Sequence, residues 1–283
     1  MNGPLVYLNG EFLPLDQARV SVLDRGFLFG DGVYEVIPVY GGRPLRLEEH
    51  LRRLDDSLRG IRMTSPLMRS EWSEIIGRLI DGVDDQSVYV QVTRGVGPAR
   101  DHSIPVGVRP TVFAMASPIT PVPVTGVRAI TLEDIRWRWC NIKAITLLPN
   151  VLLRQQAVDR GCAEAVLVRE GHVTEGTASN VFAVVGGTIV TPPKGPELLP
   201  GITRDLVLEL VRAEGLPARE RAISLEEFSG AEEIWITSST REVLPVVELD
   251  GRPVGRGSPG PVWERVSALY QDFKRRLKRG ITA

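Results

Sequence analysis

The stretch NVFAVVGGTIVTPPKGPELLPGITRD, residues 180 to 205, contains strand, turn, loop and helix signals in succession. Two apolar runs rich in β-branched residues flank Gly186 and Gly187, and this pair is typical of a tight hairpin turn. A proline-rich loop follows, and a helix is predicted to begin near Thr203 and to end at Gly215. This succession predicts a chain that mixes strands with helices.

Segments on both sides continue this mixture. The apolar runs at 88–95, 164–170 and 233–239 are typical of buried strands. Ser224 and Glu227 have the spacing of a capping box at the start of a short helix. A longer helix is predicted from apolar side chains that recur every three or four residues: Leu47, Leu51, Leu54, Leu58 and Ile61.

A proline-rich segment divides the chain into two predicted domains. SPITPVPVTG, residues 117–126, contains three prolines, which resist both helices and sheet interiors. We therefore expect a small N-terminal domain at 1–118, a linker at 119–126 and a larger domain at 127–283.

Composition and charge limit the classes of function. The chain has 283 residues, 43% of them hydrophobic, which is enough for the core of one large or two moderate domains. Its 34 basic and 35 acidic residues give a net charge of -1 without long charged runs. Such a balance does not favour nucleic acids or anionic membranes as partners, so we expect small-molecule chemistry.

Signals for export, disulfides and metal binding are absent from the sequence. The N-terminal residues lack the pattern of a signal peptide, and no apolar run is long enough to span a bilayer, so a cytoplasmic location is expected. Cys140 and Cys162 form no CxxC motif, and His50, His102 and His172 are scattered. Neither a disulfide framework nor a zinc site is expected.

Lys143 is a candidate catalytic residue because it lies among apolar residues in RWRWCNIKAITLLPN, residues 136–150. Its immediate neighbours predict a short buried strand, and burial would lower the pKa of the lysine amine. Such an amine suits Schiff-base chemistry. A salt-bridged lysine, or one whose amine reaches solvent, is the simpler alternative.

Three further positions could bind charged groups. Thr203 opens a predicted helix whose free N–H groups could bind phosphate, or it could simply cap that helix. The hydroxyl-rich TSST at 237–240 could form an anion site or an ordinary turn. Glu175, which lies between two strand-like runs, could point into a cleft or be a solvated turn residue.

An imine-forming lysine, a carboxylate for a ring nitrogen and phosphate-binding groups are what pyridoxal 5'-phosphate requires. Five motifs in chain order resemble those of the class IV, or fold-type IV, aminotransferases: DRGFLFGDGVYEV, EDIRWRWCNIK, VTEGTASNVF, GITRD and ITSSTREVLPV. The resemblance implies an α+β fold with a small N-terminal α/β domain and a larger C-terminal pseudo-barrel domain. It also implies a homodimer with active sites at its interface.

The resemblance is closest to the bacterial D-amino acid aminotransferases. It implies that Arg100 and His102, with Tyr34, bind the α-carboxylate of the substrate, although an ordinary surface loop is the alternative. Asp101, between the pair, could neutralise Arg100. Ala178 stands where the compared enzymes have serine.

The resemblance also assigns cofactor-binding roles. Lys143 would bind pyridoxal 5'-phosphate covalently and move the substrate proton, while Glu175 would face the ring nitrogen. The phosphate would be bound by Arg53, Ile202, Thr203, Ser238 and Ser239. Leu199 would pack against the cofactor ring. Arg136, on the strand before Lys143, would lie near the cofactor site. Either residue could instead be purely structural. Arg53 could equally be a helix-surface charge.

The activity implied is a ping-pong transfer of the amino group from a D-amino acid, such as D-alanine or D-glutamate, to a 2-oxo acid, such as 2-oxoglutarate or pyruvate. The main alternative is a branched-chain L-amino acid aminotransferase. An (R)-amine transaminase and an aminodeoxychorismate lyase are further alternatives.

Overall fold

Strands and helices alternate along the chain. The computed structural model describes residues 3–82, 84–121 and 124–281. The strands are β1 (Leu5–Leu8), β2 (Glu11–Pro14), β3 (Gly32–Tyr40), β4 (Arg43–Pro44), β5 (Gln86–Thr93), β6 (Thr111–Pro118), β7 (Val127–Glu133), β8 (Glu164–Arg169), β9 (His172–Gly176), β10 (Asn180–Val185), β11 (Thr188–Thr191), β12 (Ala218–Glu220), β13 (Glu233–Ser238), β14 (Glu242–Leu249) and β15 (Arg252–Pro253). The helices are α1 (Arg25–Phe29), α2 (Leu47–Gly60), α3 (Arg69–Leu79), α4 (Leu148–Asp159), α5 (Ile202–Ala213), α6 (Leu225–Ser229) and α7 (Pro261–Lys278), with a 3-10 helix at Leu15–Gln17.

The chain forms two compact units. The first contains the described residues up to Ile119, the segment Ile142–Thr146 and the described residues from Leu277 onward. The second contains the described residues of 120–141 and 147–276. From the sequence, we expected both returning segments to belong to the larger domain. Residues 122 and 123 of the predicted linker lie outside the described residues.

The first unit is built on one antiparallel sheet of six strands, in the order β2-β1-β6-β5-β3-β4. Helix α2 packs on this sheet through Leu51, Leu54 and Leu58, each fully buried. The predicted helix is therefore confirmed, because its apolar spacing places these side chains on one face. Ile61 lies just beyond its end.

The end of the chain completes this first unit. Lys278 of α7 forms an ion pair of 2.7 Å with Asp85, which directly precedes β5. A side chain at Gly280 would meet the guanidinium of Arg43. The residue before β5 is thus paired with one that lies almost two hundred positions further along the chain.

The second unit contains a nine-stranded mixed sheet in the order β12-β11-β10-β13-β14-β7-β8-β9, with β15 paired to β14. The pairs β11–β12, β14–β7 and β7–β8 are parallel. Gly186 and Gly187 adopt φ values of 55° and 71° between β10 and β11, so the predicted hairpin is confirmed. Ser224 caps α6 by accepting the N–H of Glu227, which confirms the predicted capping interaction.

Three local predictions were wrong. Lys143 does not lie in a strand, because its N–H donates to the Ser57 hydroxyl and only an isolated bridge forms nearby. Glu175 lies within β9 rather than in a turn between strands. Arg136 lies beyond the end of β7, in a bend that its own bonds to Asp134 stabilise.

No helix within the described residues is both long and apolar enough to cross a membrane. Cys140 is buried and Cys162 is partly exposed, and both carry free thiols. In the described ranges, no cluster of three or more His, Cys, Asp or Glu side chains is arranged to bind a metal ion.

Candidate active site

Lys143 is anchored through its backbone rather than through its amine. Its N–H donates to the Ser57 hydroxyl at 3.1 Å, and its carbonyl accepts the N–H of Tyr34 at 2.9 Å. The half-buried amine lies 4.3 Å from the centroid of the Tyr34 ring. Within the part of the chain that the structure describes, Lys143 forms no salt bridge, so its amine is not neutralised by a carboxylate.

Arg53 is a buried residue of α2 rather than a helix-surface charge. Its Nε and Nη2 donate to the two carboxylate oxygens of Glu35 at 2.7 and 2.8 Å. His50 Nδ1 lies 2.8 Å from Glu35 Oε2. Burial alone would raise the pKa of Glu35, but Arg53 and His50 together hold that pKa well below its usual range. The carboxylate therefore stays ionised and fixes Arg53.

Arg100 and His102 lie in the exposed loop between β5 and β6, where both contact Phe29. The Arg100 guanidinium is 5.3 Å from the centroid of the Phe29 ring, and the His102 ring is 5.2 Å from it. Asp101 accepts the N–H of Ser103 at 3.0 Å, and this bond lowers the pKa of the Asp101 carboxyl. Asp101 therefore bonds within the loop and does not neutralise Arg100.

In the second unit, Glu175 is a buried carboxylate with donors on both oxygens. Arg136 Nη1 donates to Oε1, and Oε2 accepts from Asn180 Nδ2 at 3.2 Å and from the N–H of Leu199 at 3.0 Å. Three donors around one carboxylate favour its charged form. The backbone N–H of Leu199 therefore binds the Glu175 carboxylate.

Arg136 is itself fixed by a second carboxylate. Its Nε and Nη2 donate to Asp134 at 2.9 and 2.8 Å, and Arg169 also lies 3.1 Å from Asp134. Burial alone would raise the pKa of Asp134 and lower that of Arg136, but their pairing reverses both effects. Arg136 thus presents a permanent positive charge to Glu175.

The beginning of α5 offers free backbone donors beside a row of hydroxyl groups. Helix α5 has no side-chain cap at Gly201, so the N–H groups of Ile202 and Thr203 point out of the helix. A side chain at Gly201 would lie 1.9 Å from Oδ1 of Asn180, and Asn180 pairs with Thr237 across β10 and β13. Ser238 and Ser239 come directly after Thr237.

Thr237 provides a test of whether an anion fits this place. Its hydroxyl is buried and, within the described residues, has no hydrogen-bond partner. A buried hydroxyl that lacks a partner is costly. Together with the free donors at the start of α5, it fits the phosphate of pyridoxal 5'-phosphate, and Glu175 fits a protonated ring nitrogen.

The predicted site residues fall into two groups, each within one unit. In the first unit, Tyr34 contacts Lys143, Arg53 bonds Glu35, which follows Tyr34 in β3, and Arg100 and His102 contact Phe29. In the second unit, Asn180 bonds Glu175 and Leu199, lies beside Gly201 and pairs with Thr237. The other predicted residues follow Gly201 or Thr237 directly in the sequence: Ile202, Thr203, Ser238 and Ser239.

Sequence reasoning missed residues that support these groups. Asn180 was quoted only as part of a motif, although its amide joins Glu175 to the start of α5. Glu35 and His50 were also missed. A signal was available, because His50 and Arg53 share the apolar face of α2 and a charge there requires a partner.

The chain is similar to known aminotransferases over most of its length. The family described as "Amino-transferase class IV" matches residues 32–249. A D-alanine aminotransferase of Bacillus licheniformis is 40% identical over 272 residues, which cover 94% of this chain and 96% of that protein.

Solved structures match over nearly the full length. The branched-chain aminotransferase of Thermoproteus uzoniensis with norvaline has a TM-score of 0.87 and 28% identity, covering 98% of this chain and 95% of that one. The branched-chain amino acid aminotransferase of Escherichia coli has a TM-score of 0.86 and 27% identity, covering 99% and 96%. Another branched-chain aminotransferase with a TM-score of 0.87 was solved in complex with N-(5'-phosphopyridoxyl)-L-glutamate. These matches confirm the predicted α+β, fold-type IV class.

Proposed function

The chain belongs to the class IV aminotransferases, and we propose that it transfers the amino group of a D-amino acid to a 2-oxo acid with pyridoxal 5'-phosphate as cofactor. The observation that carries the choice of substrate is the 40% identity to the Bacillus licheniformis D-alanine aminotransferase over almost the whole chain. We propose D-alanine and D-glutamate as donors, and 2-oxoglutarate and pyruvate as acceptors.

Lys143 and Glu175 would have the central chemical roles. When bound, the cofactor supplies a protonated ring that accepts the electron pair released at the substrate Cα. The Lys143 amine, which has no salt bridge in the described part of the chain, would take the proton from Cα and return it at C4′. Glu175, kept ionised by Arg136, would keep the ring nitrogen protonated.

The remaining residues would bind the cofactor phosphate and the substrate carboxylate. The N–H groups of Ile202 and Thr203, the hydroxyls of Ser238 and Ser239, and Arg53 are the proposed phosphate ligands, and Leu199 is proposed to contact the ring. Arg100, His102 and Tyr34 are proposed to bind the α-carboxylate. The exposed Arg100 guanidinium, which Asp101 does not neutralise, supports this role.

A branched-chain L-amino acid aminotransferase is the second candidate, because the cited structural neighbours have that activity in their names. It would not need Arg100 and His102 for the carboxylate. We also propose a homodimer with active sites at the interface, located in the cytoplasm.

The test is an absorbance experiment on the purified protein loaded with cofactor, without any 2-oxo acid. D-alanine, D-glutamate, L-leucine and L-glutamate are added separately, and loss of the visible band reports the first half-reaction. Conversion by the D-acids alone is the expected result. Conversion by the L-acids alone would overturn the proposal and favour the branched-chain alternative.

A further inference from the structure

The loop that contains Arg100 and His102 rests on the segment Asp24–Asp31, which includes α1. We call residues 95–110, between β5 and β6, the carboxylate loop. The N–H of Arg25 donates to the carbonyl of Gly95 at 2.9 Å, at the beginning of this loop. Asp24 accepts the hydroxyl of Thr111 at 2.6 Å, directly after its end. One short segment therefore holds both ends of the loop.

Arg25 holds the middle of the same loop. Its charged side chain is only 6% exposed, and its Nη1 donates to the carbonyl of Asp101 at 2.6 Å. Its Nη2 lies 3.5 Å from the carbonyl of His102, and its Nε donates to Asp31 at 2.7 Å. The guanidinium thus joins the interior of the unit to the loop backbone.

Little else orders the tip of the loop. The consecutive side chains at its tip are all exposed: Arg100, Asp101, His102, Ser103 and Ile104. Exposed segments with few buried contacts open at low free-energy cost. Two bonds lie within the loop, from Ser103 to the Asp101 side chain and from the N–H of Asp101 to the carbonyl of Ala99. The tip also packs against Phe29, over which Arg25 lies at 4.9 Å.

We propose that Arg25 is a positioning residue for substrate binding: by bonding the carbonyls of Asp101 and His102, it fixes the carboxylate loop in the conformation that binds the substrate α-carboxylate. This inference rests on the proposed function. A guanidinium suits the role because its planar donors can bond Asp31 and two carbonyls together, whereas a lysine ammonium is a compact point charge. Arg25 itself does not touch the substrate.

Arg94 provides a matched control. It is equally buried and bonds the same Asp31 at 2.8 and 3.0 Å, but its other contact is the carbonyl of Ile61, outside the loop tip. We expect Arg25→Lys to raise KM for D-alanine by about tenfold and to change kcat much less, as loss of a charge-assisted bond to the loop predicts. Arg94→Lys should leave KM within about twofold, because Arg94 makes no bond to the loop tip.

A double-mutant cycle separates positioning from a general loss of stability. In a background with Arg100→Ala and His102→Ala, the carboxylate ligands that the loop supplies are gone and only Tyr34 remains, so Arg25→Lys should have no further effect on KM. A purely structural role would instead reduce activity by the same factor in both backgrounds. That result would overturn the proposal.

Hydrogen–deuterium exchange of the cofactor-free protein gives a readout that does not depend on activity. Peptides covering residues 97–106 should exchange faster in Arg25→Lys than in Arg94→Lys or in the wild type. If Arg25→Lys does not fold, Arg25→Gln takes its place. Exchange of the wild-type segment at the rate of an unfolded peptide would refute an ordered loop without any variant.

The outcomes also distinguish this inference from the proposed function. A wild-type protein that does not convert D-alanine refutes the proposed function. Normal conversion of D-alanine, combined with an unchanged KM in Arg25→Lys, refutes the role of Arg25 alone.

Discussion

Arg53 binds Glu35 through two parallel hydrogen bonds of 2.7 and 2.8 Å in the interior of the first unit. His50 completes the group on the same carboxylate. Burying the Glu35 carboxylate or the Arg53 guanidinium alone would destabilise the folded state. Because His50 can take up a proton, the contribution of this group to stability depends on pH.

The stability of the protein should decrease in mild acid because of His50. Burial, which outweighs the attraction of Glu35, lowers the pKa of His50 below its usual 6.5. As the pH falls through about 6.5, the unfolded chain takes up a proton that the folded state resists, so unfolding becomes easier by up to ~1.4 kcal/mol per pH unit. His50→Gln should flatten this dependence, measured as urea midpoints between pH 7.5 and 5.5. His172→Gln, at an exposed position, is the control, and equal slopes in all three proteins would contradict the prediction.

Replacement of Lys143 by alanine should abolish turnover. The variant would have no amine beside Tyr34 to bind the cofactor covalently or to move the substrate proton, and we expect a loss of at least about a thousandfold. Absorbance spectra should also lose the visible band of the bound cofactor. Lys194→Ala, which removes an exposed lysine paired with Asp205, should leave both properties unchanged. Full activity in Lys143→Ala would refute the mechanism.

Glu175→Gln should impair the chemical step more than cofactor binding. The amide has no charge with which to keep the ring nitrogen protonated, although it still fills the space beside Asn180. We expect kcat to fall by about a hundredfold and cofactor affinity by less than about tenfold. Stopped-flow absorbance and cofactor titration measure the two quantities. Glu170→Gln, at an exposed ion pair, should match the wild type. A larger loss of affinity than of kcat would point to a structural role for Glu175.

Gly201→Ala should weaken cofactor binding for a steric reason. The backbone at Gly201 has φ of -68°, which any residue tolerates, but the added carbon would lie 1.9 Å from Asn180 Oδ1. Asn180 would have to move, and its bonds to Glu175 and Leu199 would weaken. We expect affinity for the cofactor to fall by about tenfold, as measured by fluorescence titration. Gly195→Ala is the matched control, because nothing lies within 4 Å of its added carbon. Equal affinities in the two variants would show that Asn180 is not required.

Local periodicity predicted much of the fold. The spacing of Leu51, Leu54 and Leu58 predicted α2, and the glycine pair predicted the hairpin of β10 and β11, because both signals arise from neighbours in the chain. The strand predicted at Lys143 failed because apolar neighbours cannot reveal that Ser57, 86 residues away, binds its backbone.

The supporting residues of the candidate site were harder to predict. Asp134 and Arg136 are close in sequence, but their importance depends on Glu175, which lies on β9, 39 residues after Arg136. Arg25 occurs in a motif quoted from the sequence, yet its bonds to the carbonyls of Asp101 and His102 span more than seventy residues. Such contacts leave no periodic signal in the sequence.

The place of Lys278 has a consequence for biosynthesis. Strands β1 to β6 leave the ribosome before the second unit, but the ion pair between Lys278 and Asp85 requires a residue that is translated after it. Lys143 and its neighbours also arrive only after part of the second unit has been translated. The first unit is therefore completed only after the residues of the second unit have been translated, and a nascent chain must carry its six-stranded sheet without the Lys278 ion pair until then.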